Sequence, residues 1–398
     1  MNTHHDLDFF RYDDRLTPEE IELRDRVREW VDSRFMPRVN ASWHAHDFPM
    51  DLVPELGELG CFGATIDGYG CPGLSNRAYG VVMRELERGD SGLRTMASVQ
   101  GALAMNAIQF FGSEAQREHW LPAMARGEQL GCFGLTEPGF GSNPGGMTTT
   151  ARWDGSGWQL SGEKMWIGNA DVAQVAVIWA KCEGLDGIDA TRSKSIRGFL
   201  VPTDRPGFNS SLIENKLSLR VARTSRITMD SVPVGQDDLL PGSDGLGSPL
   251  RCLDQARYGI AWGVLGAAEA CLSESLKYVG TREVFDKSLA SYQLVQDKLA
   301  GMLTQLVEAT GAAYRLAELK DAHEVTGEQI SLAKYANVEM AQNVARTSRE
   351  LLGGVGILDD FSSFRHMANL ESVATYEGTR DIHRLVLGRW LTGVQAFR

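Results

Sequence analysis

Arg94 is the residue whose setting points most directly to chemistry. It is the single cation in SGLRTMASVQ (91–100), a stretch of small and apolar residues with helical periodicity. Two interpretations fit a guanidinium in such a helix. Arg94 forms a salt bridge with Asp90, one helical turn earlier, or it lies at the bottom of a pocket and binds a ligand carboxylate through its planar fork. The residues alone leave both interpretations open.

A glycine-rich segment, FGLTEPGFGS at 133–142, is the second candidate. Its glycine amides and the hydroxyls of Thr136 and Ser142 suit a flavin or a pyrophosphate. The segment stands where a helical pattern gives way to a β-prone one, and ligand clefts favour domain junctions; a glycine-rich linker is the alternative. GYGCPG at 68–73 also matches GxGxxG, but it contains a proline and follows no strand. It therefore predicts a tight loop between helices rather than a dinucleotide site.

Other positions carry little information when each is taken alone. Trp166 precedes Ile167 and Gly168 at the end of a predicted strand, where an aromatic ring usually belongs to the core. Glu377 stands beside Gly378 in the break before the last helix, and the ordinary expectation there is an exposed acid.

Helix ends supply further candidates. Arg257 and Arg282 lie in helical patterns and are expected to be solvated. Thr379 is suited to cap the last helix. LLGGVG at 351–356 ends a long helix, and a C-cap accounts for only one of its glycines.

The elements that position these residues fall into three regions. A capping box at 17–20 begins the first helix, and helical periodicity continues through a first region, 1–130. Short β-prone runs separated by turn signals fill a second region, 131–245; within it, the polar stretch 183–196 is expected to be a mobile hairpin insertion. Long helical units in the third region, 246–398, predict a four-helix bundle.

Composition restricts the function further. The chain has 398 residues and a net charge of −12, which argues against nucleic acid or an anionic membrane as partner. No apolar run approaches the roughly 18 residues of a membrane span, so we expect no membrane insertion. The six cysteines form no CxxC pair. With no targeting segment at the N-terminus, this pattern predicts reduced thiols, a cytoplasmic location and no metal site.

Several long motifs occur together in one order. They are CFGLTEPGFGS, the Trp-Ile strand end, ARYGIAWGVLGAAEAC, the Arg282–Phe285 segment, LLGGVGI and TYEGTRDIHRLVLGR. In this order and spacing they resemble the acyl-CoA dehydrogenase family over nearly the whole chain. RELERGDSGLRTMASVQ, TYEGT and LTGVQAF resemble its glutaryl-CoA dehydrogenase branch. The resemblance implies an α+β fold with an N-terminal helical domain, a middle β-barrel domain and a C-terminal four-helix bundle.

The resemblance also implies the ligands and their residues. FAD would be lined by Phe133, Leu135, Thr136, Gly141, Ser142, Trp166, Ile167, Gly168 and Thr379. A neighbouring subunit of a homotetramer, built as a dimer of dimers, would add Arg282, Phe285, Gln293, Glu350, Gly353 and Gly354. Acyl-CoA would be held by Ser142, Arg257 and Gly378, with Glu377 as catalytic base. Arg94 would bind a distal substrate carboxylate, with Glu87, Ser98 and Tyr376 around it.

The implied reaction is the oxidative decarboxylation of glutaryl-CoA to crotonyl-CoA, with an electron-transfer flavoprotein as acceptor. Three positions depart from the family pattern: Gly168 replaces Thr or Ser, Asn143 replaces Asp, and Asp286 replaces Gly. Two alternatives therefore remain. One is a dehydrogenase for a differently substituted or sulfinate-bearing acyl-CoA, or one that does not decarboxylate. The other is a catalytically silent acyl-CoA-binding homologue.

Overall fold

The structure is a computed structural model that describes residues 7–184 and 189–396. Its N-terminal region is helical. The capping box is confirmed, because the Thr17 hydroxyl accepts a hydrogen bond from the Glu20 N–H at 3.3 Å and the Glu20 carboxylate accepts one from the Thr17 N–H at 2.9 Å. The helices are α1 (Pro18–Trp30), α2 (Val39–Ala45), α3 (Val53–Glu58), α4 (Asn76–Gly89), α5 (Ser91–Ala97), α6 (Asn106–Phe111) and α7 (Glu114–Ala125).

Two connections in this region bear on the predictions. The GYGCPG motif forms the loop between α3 and α4, and its Gly68, Gly70 and Gly73 all have positive φ, as a tight turn requires. The α5 helix continues through the π-helical Ser98–Met105 into α6, so the helix that carries Arg94 is part of a nearly continuous rod.

The middle region is one seven-stranded sheet. Its strands follow the order β1–β4–β2–β3–β7–β6, and β5 pairs with β4. Buried side chains from all seven strands share one apolar core, as expected of a barrel-like domain. The strands are β1 (Gly131–Gly134), β2 (Thr150–Trp153), β3 (Trp158–Gly168), β4 (Val175–Glu183), β5 (Ile196–Pro202), β6 (Phe208–Leu212) and β7 (Thr224–Val234).

Two of these strands are poorly predicted by their own residues. The β1 strand contains two glycines and forms because it pairs in parallel with β4, more than 40 residues later in the chain. The β6 strand is mostly exposed and pairs with β7. Of the hairpin predicted at 183–196, residues 185–188 lie outside the described residues, so its mobility stays a prediction.

The C-terminal region consists mainly of long helices. The α8 helix packs on α4, α9 and α10, while α11 and α12 pack on α10. A short hairpin, β8 (Glu283–Val284) and β9 (Lys287–Ser288), follows α8. Across residues 7–184 and 189–396, no helix combines the length and apolarity needed to cross a bilayer. The helices are α8 (Gly247–Thr281), α9 (Gln293–Asp321), α10 (Gly327–Leu351), α11 (Ser363–Val373) and α12 (Arg380–Thr392).

Candidate active site

Glu377 lies between α11 and α12 in a segment that we call the Glu377 turn (residues 376–379). Its backbone is left-handed, with φ of 57°, and Gly378 follows with φ of 98°. Thr379 caps α12, as predicted, by accepting a hydrogen bond from the Ile382 N–H at 3.3 Å. The expectation of an exposed acid is wrong, because Glu377 Oε2 is buried and has no hydrogen-bond partner among the described residues.

Two cationic side chains hold the Glu377 turn. Lys334 Nζ, from α10, donates to the carbonyl oxygens of Tyr376 and Gly378, both at 2.9 Å. Arg257 Nε, from α8, donates to the carbonyl oxygen of Glu377 at 2.8 Å. Three successive carbonyls therefore accept hydrogen bonds from cationic side chains, which stabilises a backbone conformation that a non-glycine residue rarely adopts. The structure thus places Arg257, expected to be solvated, against the turn.

The electrostatic environment of Glu377 combines two opposing effects. Burial raises the pKa of its carboxyl group, while the positive charges of Arg257, Lys334 and Arg94 lower it, and the net pKa lies above its usual value of 4.5. A carboxylate in this state, with one unpartnered oxygen, is a stronger base than a solvated one. These are the properties that a general base operating near neutral pH requires.

Arg94 lies beside the Glu377 turn and is only 1% exposed. Its Nε donates to Glu87 Oε2 at 2.7 Å, and its Nη2 donates to the hydroxyl of Tyr376. The salt bridge with Asp90 does not form; Asp90 instead accepts a hydrogen bond from Arg365 Nε at 3.0 Å. Arg94 Nη1 has no acceptor within residues 7–184 and 189–396, which leaves one edge of the guanidinium free for a ligand carboxylate.

Close helix packing positions the partners of Arg94. Glu87 is fully buried and accepts a hydrogen bond from the Ser91 hydroxyl at 2.8 Å. It fits between α4 and α8 because Gly263 has no side chain: a Cβ there would lie 2.2 Å from Glu87 Oε2. Ser98, one turn after Arg94, is also buried and lies beside the hydroxyl of Tyr79. The glycines of the α8 motif therefore admit the polar groups that surround Arg94.

The 133–142 loop is fixed by a buried ion pair. Lys164 Nζ, from β3, donates to Glu137 Oε1 at 2.9 Å. Glu137 also accepts hydrogen bonds from the backbone N–H groups of Thr148 and Thr149 at 2.6 and 2.9 Å. Although burial opposes its ionisation, Lys164 and these N–H groups lower the pKa of Glu137 to about 2. The loop is therefore an organised structure and not a simple linker.

The surface next to this loop is open and carries an exposed aromatic side chain. Trp166 has a left-handed φ of 65° and is 57% exposed, so the expectation that it belongs to the core is wrong, whereas Ile167 is buried. No atom lies within 4 Å of the places where Gly139 and Gly141 would carry a Cβ. An exposed indole beside open backbone suits a large planar ligand.

The other predicted residues of the loop divide between core and surface. The side chains of Phe133 and Leu135 pack into the apolar core. Thr136 is half-buried, and its carbonyl oxygen accepts a hydrogen bond from the Met165 N–H at 2.9 Å. Ser142 is exposed at the end of the loop. Only the last two can therefore present side chains to a ligand.

Gly168, at the end of β3, has limited space beside it. A Cβ at this position would lie 2.9 Å from Val99 Cγ2. Val99 thus already occupies part of the room that a threonine would need. Because Gly168 lies on the strand of Trp166, a hydroxyl here would face the same ligand surface only after Val99 moved.

The remaining predicted cofactor residues do not join this site within one chain. Arg282 follows Arg257 by 25 residues, and at about 1.5 Å per helical residue the two lie roughly 37 Å apart. Arg282 caps the end of α8 and is exposed, and Phe285 is 86% exposed. Glu350 binds Lys298 at 2.9 Å on the surface. We call residues 282–293 and 350–354 the outer segments; they contain Arg282, Phe285, Gln293, Glu350, Gly353 and Gly354.

The outer segments have open backbone and several left-handed residues. A Cβ on Gly353 or Gly354 would have no other atom within 4 Å, and Gly353 has φ of 62°. In the β8–β9 hairpin, Phe285 and Asp286 are both left-handed, with φ of 50° and 60°. A glycine would adopt the conformation of Asp286 at lower cost. The backbone of the outer segments is therefore exposed and open within the single chain.

Sequence reasoning missed two buried lysines. Lys334 has a readable signal, because it lies one turn from Ile330 and from Val338 and so falls on the buried face of α10. Lys164 is buried in β3 between half-buried neighbours, so the strand shows no alternation that would mark it. Its partner Glu137 is 27 residues away in the chain, and no local pattern identifies it.

Comparisons with known proteins identify the family of the chain. Three family models match: "Acyl-CoA dehydrogenase, N-terminal domain" at residues 17–128, "Acyl-CoA dehydrogenase, middle domain" at 132–232 and "Acyl-CoA dehydrogenase, C-terminal domain" at 243–392. The chain is 34% identical to the mitochondrial short-chain specific acyl-CoA dehydrogenase of Bos taurus, over 92% of this chain and 88% of that protein.

Two further relatives differ in their chemistry. A glutaryl-CoA dehydrogenase from Mycobacterium smegmatis, solved in complex with FADH2, is 48% identical, with a TM-score of 0.94 over 98% of each chain. The 3-(aryl)acrylate reductase of Clostridium sporogenes is 30% identical over 92% of this chain and 96% of that protein. The chain belongs to the acyl-CoA dehydrogenase family of oxidoreductases, and its cofactor is FAD.

Proposed function

We propose that the protein oxidises a dicarboxylyl-CoA thioester, glutaryl-CoA, and decarboxylates it to crotonyl-CoA. One observation carries the proposal: the buried guanidinium of Arg94 contacts the hydroxyl of Tyr376, the residue directly before Glu377. A cation is thereby placed within one residue of the candidate base. A neutral acyl chain offers no acceptor to the free Nη1 of this guanidinium, whereas a second carboxylate matches its planar fork.

Glu377 acts as the base in this proposal. The thioester carbonyl acidifies the α-protons of the substrate, but their removal still requires a carboxylate held over the α-carbon. The unpartnered Oε2 of Glu377 is available to accept this proton. After loss of CO2, the same carboxyl group, now protonated, returns a proton to the resulting dienolate.

Arg94 selects the acid and holds it during the reaction. Glu87 already neutralises the guanidinium at Nε, so the substrate carboxylate would bind through Nη1 and through neighbouring hydroxyls. The Tyr376 hydroxyl, which contacts Nη2, and the Ser98 hydroxyl, one helical turn after Arg94, would be these neighbours. A carboxylate without such partners in a buried pocket would be strongly disfavoured.

FAD, when bound, supplies the acceptor for the hydride that leaves the β-carbon. Trp166, Ile167, Thr136, Gly141, Ser142 and Thr379 would hold its ring system, and the outer segments of a neighbouring subunit would hold its remote half. We therefore propose a homotetramer, with an electron-transfer flavoprotein as acceptor. Ser142, Arg257 and Gly378 would contact the CoA ester.

An anaerobic panel of acyl-CoA thioesters tests the proposal. We expect glutaryl-CoA to bleach the flavin faster than butyryl-CoA or an arylpropionyl-CoA, with crotonyl-CoA and CO2 as products by mass. Glu377→Gln keeps the shape of the side chain, so it should bind FAD and ester normally while it slows flavin reduction by about 10²- to 10⁴-fold.

The pH dependence supplies an internal check. Because burial raises the pKa of Glu377, the reduction rate should fall as pH decreases through a value above 4.5, where the base becomes protonated. Glutaconyl-CoA without CO2 would indicate a non-decarboxylating enzyme. A protein that binds FAD but is bleached by no thioester would instead be a silent homologue, and the proposal would fail.

A further inference from the structure

Lys334 is a buried lysine that the reaction described above does not use. It is 1% exposed and lies on the face of α10 that packs into the bundle. Burying an ammonium group is unfavourable unless hydrogen bonds compensate for the lost water. Its retention in the core therefore raises the question of what it binds.

Both hydrogen-bond acceptors of Lys334 belong to the Glu377 turn. They are the carbonyl oxygens of Tyr376 and Gly378, each 2.9 Å from Nζ. These two carbonyls flank Glu377, whose φ of 57° lies in the left-handed region. Since one ammonium group bridges the residue before and the residue after the base, it fixes the path of the chain through Glu377.

No carboxylate lies within ion-pair distance of Lys334 in the described part of the chain. The charged groups that act on it are Glu377, Arg257 from α8 and Arg94 from α5. His383 of α12 packs on the same turn, and burial lowers its pKa to about 3, so it is neutral. Burial lowers the pKa of Lys334 to about 7, and the negative charge of Glu377 opposes this shift. Glu377 is thus the anion that stabilises the ammonium, and the ammonium stabilises the anion in return.

We propose that Lys334 is a positioning residue for the base: its two hydrogen bonds hold the Glu377 carboxylate in place, and its charge keeps that carboxylate ionised. This inference rests on the proposed role of Glu377 and adds a residue that acts through it. It does not depend on which acyl group is the substrate, because Lys334 contacts the turn and not the Arg94 edge of the pocket.

Two substitutions separate the hydrogen bonds from the charge. Lys334→Met removes both, whereas Lys334→Gln keeps an N–H donor and removes the charge. Lys216→Met is the matched control, because Lys216 is a half-buried lysine that also donates to backbone carbonyls, those of Leu219 and Ala222, but outside the Glu377 turn. All variants are compared as FAD-loaded full-length protein, with flavin content and Tm measured first.

The first measurement is anaerobic flavin reduction against pH, with both glutaryl-CoA and butyryl-CoA. Misplacement of the base in Lys334→Met should slow reduction by about 10- to 100-fold. Loss of the Lys334 charge should also move the acid limb of the pH–rate profile to higher pH, by about one unit or more. Lys334→Gln should reduce the flavin faster than Lys334→Met but keep the shifted acid limb. Lys216→Met should change neither the reduction rate nor the pH of the limb.

The second measurement needs no substrate. Infrared titration of the holoenzyme, with Glu377→Gln to identify the carboxyl band, should show a higher pKa for Glu377 in both Lys334 variants. If no thioester reduces the wild-type flavin, the proposed function fails while this titration still decides the role of Lys334. An unchanged Glu377 titration, or a reduction rate within about threefold of wild type in folded Lys334→Met, overturns the inference. If Lys334→Met does not fold, Lys334→Gln decides it.

Discussion

The pocket around Glu377 (Arg94, Glu87, Lys334 and Glu377 itself) and the outer segments lie toward opposite ends of the same long helices, and only the outer segments are largely exposed. In the pocket, Arg94, Glu87 and Lys334 are buried, and each has protein partners. In the outer segments, Phe285 is 86% exposed and Gly353 faces open space. The residues that would do acid–base chemistry are therefore prearranged, while those that we propose for the remote half of FAD are exposed on the single chain.

This difference has a physical reason. A base and a carboxylate receptor act through short distances and low dielectric, so they require a rigid and dry environment that the packed helices of one chain supply. A long cofactor needs only contacts along its length, and these can come from an exposed hairpin and helix end of another subunit. Damage to the first region should therefore alter chemistry and selectivity, and damage to the second should alter cofactor retention.

Arg94→Met should have the largest effect and test the pocket. Without Arg94 the distal carboxylate of glutaryl-CoA would be buried without a partner, which costs about 3–5 kcal/mol. Activity on glutaryl-CoA should therefore fall by roughly 10²-fold or more, while activity on butyryl-CoA is spared. The variant also leaves Glu87 buried without its partner and should lower Tm. kcat/KM on the two substrates and thermal unfolding measure these effects.

The double variant Arg94→Met/Glu87→Gln is the control for stability. It removes both charges and should restore Tm without restoring turnover of glutaryl-CoA. If Arg94→Met lowers activity equally on both esters, Arg94 is structural, and the pocket carries no selectivity for a second carboxylate.

Arg282→Ala tests the outer segments and should have an intermediate effect. A hydrogen bond to a charged group contributes about 1.5–3 kcal/mol, so FAD should bind about 10- to 100-fold more weakly. The pH limb of flavin reduction should stay in place, since Arg282 lies far from Glu377. Arg315→Ala, which breaks an exposed pair with Glu318, serves as the control. If Arg282→Ala instead shifts the pH limb of flavin reduction and leaves the FAD affinity unchanged, the outer segments act on the base and the distinction between the two regions is wrong.

Gly168→Thr should have the smallest effect and sharpens the boundary between the regions. The introduced hydroxyl should stabilise the reduced flavin by one hydrogen bond, about 1 kcal/mol. This raises the flavin potential by roughly 20 mV for a two-electron couple. Because Val99 obstructs the new side chain, Val99→Ala/Gly168→Thr should show the shift without loss of Tm. Redox titration of both variants and of Val99→Ala is the measurement. An unchanged potential in the double variant would make Gly168 a neutral replacement.

Much of the architecture was predictable, because its signals are local. The capping box at Thr17 and Glu20, the α–β–α order and the loop at GYGCPG each depend on residues a few positions apart. The β1 strand was not predictable in this way, since a four-residue segment with two glycines forms only by pairing with β4. Motif resemblance supplied the candidate site residues, but resemblance says nothing about what each side chain contacts.

The amino-acid sequence alone established most of the elements, the family and the chemical types of the groups available for catalysis. How those groups are paired was settled by tertiary packing. Arg94 binds Glu87 and not Asp90, because Gly263 lets α4 approach α8 closely. Glu377 is half-buried, with Oε2 enclosed, and not exposed, because Lys334 and Arg257 hold its turn against the helices. Pairing of buried charges depends on distances between distant segments of the chain, and helical periodicity carries no information about them.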